Sequence, residues 1–232
     1  MHLDGVTIVH ERFPTTRVYP FHLPLFQATR QVDLNAPVCF FVGENGSGKS
    51  TLLSAIARAA EIHIWENHDR SRARRNPFAE RLSSCLELQW SAGACVGAFF
   101  SAEHFRDFAE RLDAWATSDP GLFAYFGGGS LTEKSHGQSN MAFFTSRFGV
   151  EGLYLLDEPE SALSPRRQLE LRHLLDEASR MGRAQFIVAT HSPLLLSLPG
   201  ARILSFDGPT VQPVPLEDTD HYAVYRDFFA AH

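Results

Sequence analysis

Nowhere in its 232 residues does the sequence sustain the roughly 18 consecutive apolar positions that a membrane-crossing helix requires. Residues 1–10 hold neither a basic stretch nor an apolar one, so a chain neither exported nor embedded, working in the cytoplasm, is expected. Cysteine is scarce. Cys39, Cys85 and Cys95 form no C-x-x-C pair and sit in apolar stretches, as buried free thiols of a reducing compartment do. The eleven histidines contain no H-E-x-x-H and, with the cysteines, no zinc spacing, which leaves transition-metal chemistry without support. Positive charge is short as well. With 21 Lys and Arg against 27 Asp and Glu the formal charge is −6, which disfavours a broad surface for tracking nucleic-acid phosphates. No repeat, low-complexity tract or linker divides the chain, and one domain over residues 1–232 is the expectation.

What is present is an ordinary globular composition, 44% hydrophobic and 21% charged. Val38 to Val42 is a short apolar run that meets Gly43 at once, the pattern of a buried strand entering a turn. Leu153 to Leu156 and Gln185 to Ala189 read the same way, and strand-like pieces follow at Ala201 to Phe206 and Val211 to Val214. Helices are expected over Thr51 to Ala60 and through Phe105, Phe108, Ala109 and Leu112. Another should start at Ser164-Pro165, where a capping serine precedes proline, and end at Gly182; the last should start near Asp218-Thr219. Cys85 to Trp90 and Ala94 to Phe100 look like a hairpin around Ser91-Ala92-Gly93, on the flank of the sheet. Strands alternating with helices imply an α/β fold with a mostly parallel sheet, flanked by helices and carrying an antiparallel β flank.

Gly43-Glu44-Asn45-Gly46-Ser47-Gly48-Lys49-Ser50 fits G-x-x-x-x-G-K-[ST] between a buried strand and a helix, the context that a phosphate-binding loop requires. Its glycines let backbone N–H groups point inward, and the helix beginning around Thr51 adds a field that favours anionic oxygens. Lys49 is placed to reach the β and γ phosphates of ATP, and the Ser50 hydroxyl to meet Mg²⁺. Leu153-Tyr154-Leu155-Leu156-Asp157-Glu158-Pro159 sets two carboxylates just past a buried strand, where ligands gather in open α/β sheets. Asp157 is expected to hold the Mg²⁺ water shell and Glu158 to polarise the attacking water.

Three further stretches turn these motifs into a family resemblance. Lys134-Ser135-His136-Gly137-Gln138 resembles the signature of ABC-type ATPases, Glu160-Ser161-Ala162-Leu163-Ser164 their D-loop, and Thr190-His191-Ser192-Pro193 their switch histidine. All occur in family order. The chain is therefore similar to ABC-type P-loop ATPases, closest to the compact AAA-family ATPases allied to SMC, RecF and OLD heads. Tails of that group also carry text like Glu217-Asp218-Thr219-Asp220-His221-Tyr222.

The resemblance implies an ATP-dependent homodimer in which two chains sandwich two ATP molecules head to tail. Ser135, Gly137 and Gln138 of one chain would then complete the nucleotide site of the other, and His191 would sense the γ-phosphate. Lys134 and His136 depart from the leucine and glycine usual at those signature positions, and Ser164 replaces the usual acidic end of the D-loop. The metal-sensing glutamine of the family has no clean match; Glu103 is the first candidate for its place and Gln89 the second. Tyr19 or Phe21 could stack on adenine, although apolar aromatics of this kind more often belong to a core.

About 85 residues separate Lys49 from Ser135, too few for the long coiled coil of SMC-type proteins. The leading expectation is an ATP hydrolase that closes and opens as a dimer, with an unidentified protein partner in a nucleic-acid maintenance or defence complex. The alternatives are the nucleotide-binding subunit of a membrane transporter and a non-hydrolysing, ATP-dependent binding module. The arginines at 70, 72, 74 and 75 read as a solvated segment or as a contact to nucleotide or an acidic partner.

Overall fold

The computed structural model describes residues 1–65, 76, 78 and 80–232. The chain opens with β1 (Leu3–Ile8), α1 (Pro24–Ala28), β2 (Gln31–Asp33), β3 (Val38–Val42), α2 (Lys49–Ala59), β4 (Leu86–Trp90) and β5 (Gly97–Ser101). It continues through α3 (Phe105–Ala116), α4 (His136–Arg147), β6 (Gly152–Asp157), α5 (Pro165–Arg180) and β7 (Ala184–Ala189). The last elements are α6 (Pro193–Leu196), β8 (Arg202–Ser205), β9 (Gln212–Pro213) and α7 (Asp220–Ala230). Arg70, Arg72, Arg74 and Arg75 lie outside the described residues.

A six-stranded sheet in the order β5-β6-β7-β3-β8-β9 forms the centre. Its first five strands run parallel and β9 pairs antiparallel with β8. The middle strands are covered on both faces, which is why they read as continuous apolar runs. Successive side chains point to opposite faces, so each strand feeds two cores. Cys39, Phe41, Leu153, Leu155 and Ile187 join α2 and a second sheet. Phe40, Tyr154, Leu156, Phe186 and Val188 join α3, α4 and α5.

That second sheet is antiparallel, in the order β2-β1-β4. Gln185 of β7 rivets it to the central sheet: its Oε1 accepts from the His2 and Leu3 amides at 2.8 and 2.7 Å, and its Nε2 donates to the Leu3 and Leu34 carbonyls at 2.8 and 2.9 Å. The side chain is fully buried, so these bonds are what make a polar group tolerable there.

The expected flank is thus present, but the expected hairpin is not. β4 pairs with β1, whereas β5 pairs in parallel with β6. Gly93, at φ +96°, does turn the chain, yet the two strands suit different surroundings. β4 alternates between buried and wet positions, while β5 ends in three buried residues. Gly97 tolerates no Cβ, which would come within 2.4 Å of Ile62 Cδ1 and of the Leu153 carbonyl. β1 carries no sequence signal as clear, because Asp4 and Gly5 interrupt its pattern and the register slips between Leu3 and Gly5.

The expected helices appear as α2, α3, α5 and α7, close to expectation with two differences, while α1 and α6 were not anticipated. α2 begins two residues earlier than Thr51, because Gly48 adopts a left-handed conformation (φ +107°) that lets the loop pass straight into helix. α5 begins after Ser164 with Pro165 in its first turn and Gly182 beyond its end at φ +70°, but the Ser164 side chain makes no capping bond. All three cysteines are free, Cys95 only half-buried.

Candidate active site

The phosphate-binding loop lies at the end of β3, where backbone geometry leaves little choice of residue. Gly43 and Gly46 both have positive φ, and a Cβ on Gly43 would stand 2.8 Å from Asp207 Oδ1. A Cβ on Gly48 would meet the Phe26 ring at 2.9 Å. Lys49 is buried and folds back over the loop, its Nζ donating to the carbonyls of Gly43 and Glu44 at 2.6 and 2.9 Å. Burial holds its ammonium below the ordinary lysine range, against the pull of Asp207, Glu158, Asp157 and Glu44. Ser47 Oγ is buried without a hydrogen-bond partner among the described residues. Asp207 was not anticipated; its Oδ1 accepts the Glu44 amide at 2.7 Å and steadies the loop.

β6 delivers the carboxylates. Ser50 Oγ donates to Asp157 Oδ1 at 2.7 Å, joining the loop to the second motif across 107 residues. Burial first, then the charges of Glu158 and Glu103, push the Asp157 carboxyl up to about 6, although the Ser50 hydroxyl and Lys49 oppose this. Glu103 lines one cleft of about 280 Å³ together with Tyr19, Ser50, Thr51, Arg58 and Asp157. Gln89 lies on the other sheet, where its Nε2 donates to Thr7 Oγ1 at 3.0 Å. Tyr19 faces the cleft with its hydroxyl on Thr51, whereas Phe21 is core.

Among the described residues no three His, Cys, Asp or Glu side chains converge to cage a metal. The donors present, the Ser50 hydroxyl and Asp157 with Glu103 nearby, suit Mg²⁺, which takes few protein oxygens and completes its shell with phosphate and water.

Glu158 sits at φ +47°, a left-handed conformation that costs a residue with a Cβ about 1–3 kcal/mol. Its amide donates to the Ala189 carbonyl at 2.9 Å, which binds it to the end of β7. Ser161 Oγ donates to Glu158 Oε2 at 3.1 Å, and His191 Nε2 stands 3.9 Å from Glu158 Oε1. The backbone of His191 is fixed from below by Glu160, whose Oε1 accepts its amide at 2.7 Å. Burial pushes the Glu160 carboxyl up. On the far side, His191 Nδ1 lies 2.8 Å from Nε2 of His221 in α7.

The signature stretch occupies a different place. Ser135 is the N-cap of α4 and forms a complete capping box: its Oγ accepts the Gln138 amide at 3.4 Å and Gln138 Oε1 accepts the Ser135 amide at 3.0 Å. Gly137 packs against the D-loop, since a Cβ there would stand 2.7 Å from the Ala162 carbonyl. No hydrogen bond joins Ser135, Gly137 or Gln138 to the loop or to Asp157 in their own chain; the structure brings together Lys49, Ser50, Asp157, Glu158, His191 and Glu103, while Lys134 and His136 line a neighbouring cleft that Glu103 also lines.

Residues 130–197 match the family model described as "AAA domain, putative AbiEii toxin, Type IV TA system", and residues 23–61 match one described as "AAA domain". No curated protein matches the sequence. Among solved structures, one described as "an inward-facing conformation of a putative metal-chelate type ABC transporter" is similar over 97% of this chain and 88% of that one, at 17% identity and a TM-score of 0.54. CbiO1 from Clostridium perfringens, described as part of an ABC transporter complex, is similar over 99% and 96%, at 13% identity and 0.52. An SMC head domain from Thermotoga maritima superposes more loosely, over 93% and 99%, at 16% identity and 0.46. At such identities the likeness speaks for the fold. That fold is the one shared by ABC-type P-loop ATPases, and the AAA-domain models match the two segments that hold the loop and the paired carboxylates.

Proposed function

We propose that residues 1–232 form one ATPase domain that binds ATP with Mg²⁺ and hydrolyses it to ADP and phosphate, working as a nucleotide-driven dimerisation switch. The observation that carries this reading is the convergence of Lys49, Ser50, Asp157, Glu158 and His191 at the same ends of three neighbouring parallel strands, β3, β6 and β7.

In this reading the amides of Gly43 to Thr51 bind the phosphates, and Lys49 exchanges its loop carbonyls for β and γ oxygens. Ser50, Asp157 and Glu103 would hold Mg²⁺, which would supply positive charge against the phosphates. Glu158 orients a water and accepts its proton, while His191 hydrogen-bonds the terminal phosphate. Ser135, Gly137 and Gln138 of a second copy close the site from the opposite side, head to tail. Exposed Ser135 and Gln138 suit that role, since a surface cap is available to a partner.

The setting is a cytoplasmic maintenance or defence complex with an unidentified protein partner, and nucleic acid remains a candidate contact. The family description that names a Type IV system lends weight to defence. Among the described residues no helix is long and apolar enough to cross a membrane. Steady-state phosphate release from Mg-ATP by purified protein tests the reading. Release that Glu158→Gln abolishes is expected; background release by both, with ATP still bound, would contradict hydrolysis and leave a binding module.

A further inference from the structure

His191 and His221 come from elements 30 residues apart, yet their ring nitrogens approach to 2.8 Å and their ring centroids to 5.0 Å. Two nitrogens at that distance share a single proton, so one ring donates and the other accepts. The far nitrogen of His191, Nε2, is buried, has no hydrogen-bond partner among the described residues and lies 3.9 Å from Glu158 Oε1. A lone pair there would face a carboxylate; an N–H would be attracted to it. If Nε2 carries the hydrogen in a neutral ring, Nδ1 must be the acceptor and His221 the donor.

The scaffold supports that assignment. His221 stands in the first turn of α7, where the helix field disfavours imidazolium. The turn is held by Thr219, a buried cap whose Oγ1 accepts the Tyr222 amide at 3.3 Å and donates to the Leu216 carbonyl at 2.7 Å. Burial and the nearby Lys49 charge keep both imidazoles below the ordinary histidine range.

We propose that His221 is a positioning residue for the ATPase reaction: its Nε2–H donates to His191 Nδ1 and holds the His191 ring with Nε2–H aimed at Glu158 and the terminal phosphate. This rests on the proposed function for its consequence in turnover, but not for the pairing itself. The C-terminal helix thereby becomes part of the nucleotide site, although none of its residues reaches the phosphate-binding loop by a hydrogen bond.

Nitrogen-15 NMR of the nucleotide-free protein tests the pairing without any turnover. A through-hydrogen-bond coupling between His191 Nδ1 and His221 Nε2 is expected, with the proton on His221 and His191 in its Nε2–H form. Absence of the coupling, or a proton on His191 Nδ1, would overturn the proposal. Kinetics test the consequence. His221→Phe should lower kcat for Mg-ATP roughly tenfold with KM changed less than about twofold, whereas His221→Gln, whose amide can donate to Nδ1, should keep most of the rate. Equal loss in both variants, or no loss in His221→Phe, would also overturn it. A wild-type protein that shows the coupling but turns over no ATP would remove the proposed function and leave the pairing standing.

Discussion

The first turn of α2 starts from a left-handed glycine, Gly48, and no side chain caps its amides, whereas the first turn of α4 closes on itself through Ser135 and Gln138. Every α-helix leaves its first N–H groups without intrahelical partners. α2 leaves them to the concave loop, beside a buried lysine and a Ser47 hydroxyl without a hydrogen-bond partner among the described residues. α4 satisfies two of its amides internally, so that it can stand exposed in a single chain. In the proposed head-to-tail dimer, the difference would let one chain carry two halves of a site. The α2 half would be completed by the nucleotide, while the α4 half is capped without one and still has a serine hydroxyl proton to offer, because its cap uses the oxygen only as an acceptor.

The contrast can be broken from the α2 side with the largest effects. Glu158→Gln should lower turnover by about 100-fold or more while ATP affinity is kept, as phosphate release and calorimetry would read, because general-base assistance typically contributes that much. Lys49→Ala should weaken ATP binding by about 100-fold in calorimetry, the scale of losing charge-assisted bonds worth about 3 kcal/mol.

Asp157 gives a pH test. Its carboxyl, raised to about 6 by burial, makes the folded chain resist ionisation more than the unfolded chain does. That group favours folding most below its unfolded pKa and loses its contribution as pH rises through about 6. Asp157→Asn should therefore stabilise the metal-free, nucleotide-free protein by about 1–3 kcal/mol at pH 7.5, with the gap closing towards pH 4 in denaturant melts. The smallest effect belongs to α4. Gln138→Ala should cost about 0.5–1 kcal/mol of stability by opening half of the capping box, with ATP affinity of the single chain unchanged.

The same contrast explains what was legible in the sequence. The strands at Val38, Leu153 and Gln185, the loop, the paired carboxylates and the Ser135 turn are all local patterns, set by burial on two faces or by the residues a turn demands. What escaped was set by distance along the chain. Asp207 meets Glu44 across 163 residues, Gln185 meets Leu3 across 182, and His221 meets His191 across 30. None of these residue types carries a local signal. The hairpin expected at Cys85 to Phe100 failed for the same reason: a glycine turn between two strands fixes the bend, but the choice of partner strand lies with β1 and β6. Glu160, three residues past the end of β6, meets the His191 amide across 31 residues and was legible only within a stretch that resembles a D-loop.

Light scattering on the Glu158→Gln protein, with and without Mg-ATP, tests most directly whether the two unlike helix ends meet across a pair of chains. A dimer that appears only with Mg-ATP, and that Ser135→Arg in the same background returns to monomer, is the predicted result. A monomer under both conditions, or a dimer indifferent to Ser135→Arg, would contradict the head-to-tail site.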